Sequence, residues 1–295
     1  MIDFNQQFEQ GVLLGDGAMG TMLQQQGLQS GECPELWNLE KPERVRQVAE
    51  FYIQAGAQSV ITNTFGGSSL KLQHYHLEHK AAEINRRGAE IACQAAGKEV
   101  WVAGSIGPTG EFLAPLGTIS EEQIYQSFLQ QAEALAAGGV DFIQVETMSD
   151  LQETRLAITA TQAATRLPVL VSMTFSKGYH GYRTMMGVSP AQMVQTFEPL
   201  GVAVLGSNCG NGMDEIIEII CELRTLTQLP LLAAPNAGLP QMNNGEIRYS
   251  QDGDYFAARV AALVTAGANY IKGCCGTTPE HIQKMSQQLA SLKQC

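Results

Sequence analysis

With 295 residues, 44% of them apolar and 16% charged, the chain has enough apolar mass for one large core. A net charge of -11, from 29 acidic against 18 basic residues, argues against a nucleic-acid or anionic-membrane partner. Met1 to Gln10 lacks the basic-then-apolar order of a signal peptide and no apolar run reaches membrane-spanning length, so the expected location is cytoplasmic. There, seven cysteines, an odd number, read as reduced thiols and metal ligands rather than a disulfide framework.

Short apolar runs bounded by turn residues mark strands, and 3.6-residue periodicity marks helices. Val12–Leu14 reads as the first strand, ending in Gly15-Asp16-Gly17-Ala18-Met19-Gly20, where glycines let the backbone approach a ligand closely. A helix is expected from Pro42 to Ala55, stopped by Gly56, and then a strand over Ser59–Thr64. Ser68 to Ala96 reads as one polar helix; His74, His76 and His79, interleaved with Lys71, Glu78 and Lys80, read as a solvated face rather than a metal site. Trp101–Ser105 is the third strand, followed by a Gly107-Pro108 turn that resembles a phosphate cradle only weakly. Ser120 and Gln123 form a capping box for a helix through Leu135, ended by Gly138. Asp141–Glu146 is the fourth strand and carries a carboxylate at its C-terminal end. A helix over Asp150–Ala164 and a fifth strand, Val169–Thr174, come next. Ser189 caps a helix whose first position is Pro190, and Gly201 precedes the sixth strand, Val202–Leu205. Leu231–Ala234 is the seventh strand, Asp254–Thr265 the last helix, and Asn269–Gly273 the eighth strand.

The even strands share a helix-glycine-strand entry: Ala55-Gly56-Ala57, Ala137-Gly138-Gly139, Leu200-Gly201-Val202 and Ala266-Gly267-Ala268. Strands five and seven share a Leu-Pro entry instead. Eight strand-helix units without an intervening linker predict a single-domain (β/α)8 TIM barrel across residues 1–295, with a doubly wound open sheet as the alternative. In such a barrel the C-terminal strand ends form the active site, and Asp16, Thr64, Ser105, Glu146, Cys209, Asn236, Cys274 and Cys275 all fall there.

Cys274 and Cys275 would point to opposite faces of a continuing strand, so both can reach one metal only where the strand ends and bends. Gly273 and Gly276 permit that bend. With Cys209 they make a three-thiolate cup of the kind that binds Zn2+ and leaves its fourth position open; a vicinal disulfide or two inert buried thiols are the alternatives. No Cys-x-x-Cys knuckle is present, which favours a catalytic over a structural zinc. Three thiolates weaken zinc for activating water but suit it to holding a fourth, exchangeable thiolate. Cys33, Cys93, Cys221 and Cys295 are assigned no chemical role.

The runs Gly273-Cys274-Cys275-Gly276-Thr277-Thr278-Pro279-Glu280-His281-Ile282, Ala234-Pro235-Asn236-Ala237-Gly238-Leu239-Pro240 and Gly15–Thr21 together resemble the zinc-dependent homocysteine S-methyltransferases. The likeness covers essentially the whole chain and is strongest to the homocysteine-binding domain of cobalamin-dependent methionine synthases. It implies that a homocysteine thiolate on zinc attacks an activated methyl group to give methionine. The implied methyl source is methylcobalamin on a corrinoid partner protein or domain; direct transfer from S-methylmethionine or a betaine is the alternative. It also implies that Asp16 and Glu146 hold the substrate ammonium and that Asn236 covers the open metal position in the absence of substrate. The N–H groups of Gly17, Ala18 and Met19, in a glycine-rich turn, are candidates for the substrate carboxylate. Thr64 and Ser105 are further candidates, although a strand-end hydroxyl is also a common local hydrogen-bond donor. Taken alone, Asp16 is more often a turn residue and Glu146 more often a helix-cap or salt-bridge partner, and the resemblance reverses that order. The sequence departs from the family at Lys272, where a glycine is usual, which leaves a local packing or entrance contact open. A lyase with a carbonyl-polarising zinc would prefer His and carboxylate ligands, and a non-catalytic zinc or thiol carrier is the remaining reading.

Overall fold

The computed structural model describes residues 7–8, 11–210, 212–243 and 246–292. Eight parallel strands, β1 (Leu13–Leu14), β2 (Ser59–Ile61), β3 (Trp101–Ile106), β4 (Phe142–Met148), β5 (Val169–Met173), β6 (Val204–Cys209), β7 (Leu231–Pro235) and β8 (Ala268–Ile271), pair in the order β1-β8-β7-β6-β5-β4-β3-β2. A parallel bridge from Gly15 to Ser59 and the bond from Gln58 N to Leu14 O (2.7 Å) join β2 to β1, so the sheet meets itself as a barrel rather than an open layer. The helices on the outside are α1 (Pro42–Gln54), α2 (Ala81–Ala96), α3 (Glu121–Ala137), α4 (Leu151–Ala164), α5 (Pro190–Phe197), α6 (Met213–Leu226), α7 (Gly253–Thr265) and α8 (Pro279–Leu292).

Alternation along each strand divides the core in two. One residue from every strand points inward: Leu13, Ile61, Ala103, Phe142, Leu170, Val204, Leu232 and Tyr270 form a cluster that fills the barrel. Phe142 and Tyr270 meet edge to face across it at 6.4 Å, and the Tyr270 hydroxyl reaches Ser59 Oγ at 2.8 Å. Outward-facing residues such as Val102, Val145, Val171 and Leu205 join the helix faces in the larger cluster.

The expected caps are present: Ser120 with Gln123, and Ser189 with Gln192 behind Pro190, form complete capping boxes. Other boundaries move. Ser68–Ala96 is not one helix: Ser69–Gln73 ends where His76 turns left-handed (φ 58°), a 3-10 turn spans Glu78–Lys80, and α2 begins at Ala81. The three histidines are exposed on this break, and His74 pairs with Glu111 at 3.0 Å. β6 extends past Leu205 to Cys209, because Gly206 to Cys209 keep pairing with Leu232 to Pro235 of β7. Two hairpins, Ser176–Gly178 with Gly181–Arg183 and Pro240–Asn243 with Glu246–Tyr249, occupy segments to which the sequence assigned no element. Asp254–Thr265 is not the last helix, since α8 follows, starting at Pro279. Cys295 lies outside the described residues. Among those residues, no helix is long and apolar enough to cross a membrane.

Leu232 is fully buried in the inner cluster. Leu232→Ala is expected to cost about 2–5 kcal/mol, read as a lower denaturant midpoint with an unchanged slope.

Candidate active site

The residues that carry chemistry stand where strands give way to loops on the C-terminal side of the barrel. Cys209 is the last residue of β6, opposite Pro235 of β7, and adopts φ 66°, a conformation uncommon for a residue with a side chain. Cys274 and Cys275 follow β8 after Lys272 and Gly273, and Gly276 turns the chain with φ 80°. Backbone bonds pin this loop between its neighbours: Lys272 N to Ala233 O (3.0 Å), Gly273 N to Asp16 O (2.8 Å), Cys274 N to Pro235 O (2.9 Å) and Ala237 N to Cys275 O (2.9 Å).

The Thr277 hydroxyl locks the glycine-rich loop after β1 to the cysteine loop, donating to Cys274 O (2.7 Å) and accepting from Ala18 N (3.1 Å). Tyr52 of α1 reinforces the clasp by reaching Ala18 O and Thr277 O, both at 3.1 Å. Gly17 and Gly273 are needed for close approach rather than for an unusual φ. A Cβ on Gly273 would lie 2.2 Å from Thr277 Oγ1, and one on Gly17 would lie 2.7 Å from the same atom.

The sulfurs of Cys209, Cys274 and Cys275 lie within 4.8 Å of one another, the only such group of potential metal ligands among the described residues. Cys209 and Cys275 are 3.8 Å apart, far beyond a disulfide bond, and all three cysteines are free. A tetrahedral zinc with Zn–S bonds of about 2.3 Å spaces its sulfurs by about 3.8 Å, so the cluster has the dimensions of such a site. Without a cation the thiols hold their protons. Contact with Cys209 is the main influence raising Cys274, ahead of burial. For Cys209 the contact with Cys274 lowers the value, but the contact with Cys275 and burial carry it up to about 12. Asn236, buried next to Cys209, donates to Gly210 O (2.7 Å), and its Oδ1 has no partner among the described residues.

A cavity of about 260 Å³ runs inward from the cysteines, lined further by Gly17, Ala18, Met19, Ser105, Glu146 and Lys272. Ser105 Oγ donates to Glu146 Oε1 (2.5 Å) and Gln144 Nε2 to Oε2 (2.8 Å). Burial raises the Glu146 carboxyl above the ordinary range, and the Lys272 ammonium with these two bonds pulls it back only in part. The register of β4 slips between Val145 and Met148, and Thr147 takes φ 61°; this bulge aims Glu146 at the cavity. Of the three candidate carboxylate donors, Ala18 N is already engaged by Thr277, leaving Gly17 and Met19.

Three expected residues are off the cavity wall: Asn236, beside Cys209, and Thr64 and Asp16. Thr64 is buried and does not line the cavity; its hydroxyl donates to Ser105 O (2.8 Å) and contacts Thr62 Oγ1 (2.6 Å). Asp16 is 1% exposed and also off the cavity wall: Oδ2 accepts Ile61 N (2.7 Å) and Oδ1 faces Lys272 Nζ at 3.0 Å.

Asn208 was visible in the sequence only as the neighbour of Cys209, yet it is a hub. Its Oδ1 accepts Thr147 N (2.8 Å) and Ser172 Oγ (2.7 Å), while Nδ2 donates to Thr147 Oγ1 (2.7 Å) and approaches Cys274 Sγ (3.8 Å). Its signal was a polar residue in a run that must be strand for Cys209 to reach the mouth.

A family model described as homocysteine S-methyltransferase matches residues 13–289. Methionine synthase of Mycobacterium leprae (strain TN) is 31% identical over 306 residues, covering 98% of this chain and 25% of that protein. Methionine synthase of Mycobacterium tuberculosis (strain ATCC 25618 / H37Rv) is 31% identical over 302 residues, covering 96% of this chain and again 25% of the relative. The chain thus spans about a quarter of the length of these curated relatives. Among solved structures, the metallated form of the homocysteine methyltransferase MmuM from Escherichia coli matches with a TM-score of 0.78 at 26% identity, covering 94% of this chain and 96% of that one.

Thr277→Val keeps the shape of the clasp but strands Ala18 N, while Cys274 O keeps only the Thr277 backbone N–H. The expected cost is about 1–3 kcal/mol, measured by chemical denaturation.

Proposed function

Because the chain belongs to the homocysteine S-methyltransferase family, we infer that it transfers a methyl group to the sulfur of homocysteine, giving methionine, at a zinc ion held by Cys209, Cys274 and Cys275. The observation that carries this reading is three sulfurs at zinc spacing opening on a cavity whose inner wall bears Glu146. A zinc ion there would keep a fourth sulfur deprotonated at neutral pH, where a free thiol is mostly protonated. The unpartnered Oδ1 of Asn236 is a suitable weak occupant of that fourth position until a substrate sulfur replaces it.

The remaining residues position the amino acid. Glu146, its two oxygens fixed by Ser105 and Gln144, takes the ammonium. The N–H groups of Gly17 and Met19 take the carboxylate. Held at both ends, the sulfur presents a lone pair to a methyl donor arriving from the barrel mouth; the donor–methyl bond breaks as the sulfur–methyl bond forms, and the thiol proton leaves to solvent.

The methionine synthase relatives support a methylated corrinoid protein or domain as the donor, docked at that mouth, because this chain matches only a quarter of their length. A second reading is direct use of a small donor such as S-methylmethionine or a betaine, and the likeness to the homocysteine methyltransferase MmuM leaves it open beside the first.

Incubating zinc-loaded protein with homocysteine and each donor in turn decides between them, and a lack of methionine from every donor would leave only a zinc or thiol carrier. Cys209→Ser is expected to lower methionine formation at least about 100-fold and to weaken zinc retention. Since the thiols bind their protons tightly without metal, zinc uptake near pH 7 is expected to release protons, and zinc affinity to fall as pH is lowered. A pH-indicator titration reads this directly.

Glu146→Gln is expected to raise the KM for homocysteine up to about tenfold with a smaller effect on kcat. The ammonium needs the carboxylate form, so substrate binding weakens as pH falls through the raised Glu146 value. That part of the acid limb of kcat/KM disappears in the variant.

A further inference from the structure

The inner end of the cavity carries its own cation. Lys272 leaves the end of β8 with its side chain 4% exposed, and Nζ stands 3.0 Å from Asp16 Oδ1. Asp16 cannot turn away, because its other oxygen is held by Ile61 N at 2.7 Å. Room for the lysine stem depends on Gly15, where a Cβ would lie 2.9 Å from Lys272 Cβ. Lys272 lines the cavity and Asp16 does not, so the ammonium stands between that carboxylate and any bound ligand.

A buried carboxylate, Asp16, behind the cavity wall and a half-buried one, Glu146, on it call for a counter-ion, since burial of an unpaired charge is costly. Without an internal cation, Asp16 and Glu146 would both draw it from the ligand, and a thiol lacking an ammonium would leave two charges unpaired. Lys272 supplies one of the two internally. The pocket wall then carries one carboxylate, Glu146, for the ligand to meet.

We propose that Lys272 is a specificity-determining residue: by pairing with Asp16 in place of a substrate ammonium, it widens the substrate class from α-amino thiols to short thiol acids without the amino group. This rests on the reading of the cavity as the homocysteine site. The zinc-loaded protein reads the substrate ammonium through Glu146 alone, so homocysteine is preferred over its deamino analogue 4-mercaptobutanoate by a small factor. Removing the lysine exposes Asp16 to the cavity and restores a two-carboxylate demand.

The test is calorimetric binding of homocysteine, 4-mercaptobutanoate and 3-aminopropanethiol to zinc-loaded protein, which needs no methyl donor. The proteins are the native chain, Lys272→Met, and the double variant Asp16→Asn, Lys272→Met, which keeps the comparison available if the single variant folds poorly. The expected preference for homocysteine over 4-mercaptobutanoate is within about tenfold in the native protein, at least about tenfold greater in Lys272→Met, and back near the native value in the double variant. Equal preferences in all three proteins would overturn the proposal. So would a Lys272→Met variant that keeps its ammonium preference but loses discrimination against 3-aminopropanethiol, because the lysine would then be reading the carboxylate. If none of the three thiols binds, the homocysteine reading fails and the proposal with it; binding with flat preferences removes the proposal alone.

Discussion

Three thiols share a volume small enough for one metal ion only because their backbones are not free to leave it. Cys209 is tied through the β6–β7 pairing, and Cys274 and Cys275 by bonds to Pro235 O and Ala237 N, so strands far apart in sequence hold the sulfurs from two sides. Gly273 sits where no side chain fits against Thr277, and Thr277 ties the first glycine-rich loop to the same point. The backbone of the first glycine-rich loop and the three sulfurs therefore belong to one rigid unit. Its stability comes from the barrel beneath, where one side chain from each strand fills the interior.

Electrostatics divide the cavity into two ends. Near the surface, the protonated cluster is poised to exchange protons for a cation, since contact among the thiols and burial together disfavour bare thiolates. Deeper in, one ammonium, Lys272, stands beside the Asp16 carboxyl and pulls down the Glu146 carboxyl that burial raises. On the proposed reading, a metal at one end and a cation at the other suit a thiol with an ammonium a few bonds away. The Asp16–Lys272 pair sets how strongly that ammonium is demanded.

Much of the fold was legible because glycine, proline and capping residues punctuate it: Gly56, Gly201 and Gly267 do adopt positive φ where helices give way to strands, and Ser120 and Ser189 do cap. Periodicity failed where tertiary pairing overrides composition. Gly206-Ser207-Asn208 has no apolar pattern, yet it is strand because β7 pairs with it and buried partners satisfy Asn208. Of the site, the cysteines and Glu146 were legible as chemistry-bearing residues at strand ends. The partner of Asp16 was not, because Lys272 is adjacent to the motif in sequence and reaches Asp16 only once β8 lies beside β1.

Asn208 explains why the two ends keep a fixed separation. Its amide bonds both backbone and side chain of Thr147, the residue after Glu146, and its Nδ2 stands over Cys274 Sγ. Thr147 and Cys209, both with positive φ, flank this amide. Left-handed backbone at a β-branched residue costs energy that neighbouring structure must offset. Here three bonds from Asn208 to Thr147 and Ser172 provide that offset and hold the bulge that aims Glu146. The distance from the carboxylate to the sulfurs is thus set by one buried side chain rather than by the mobility of loops.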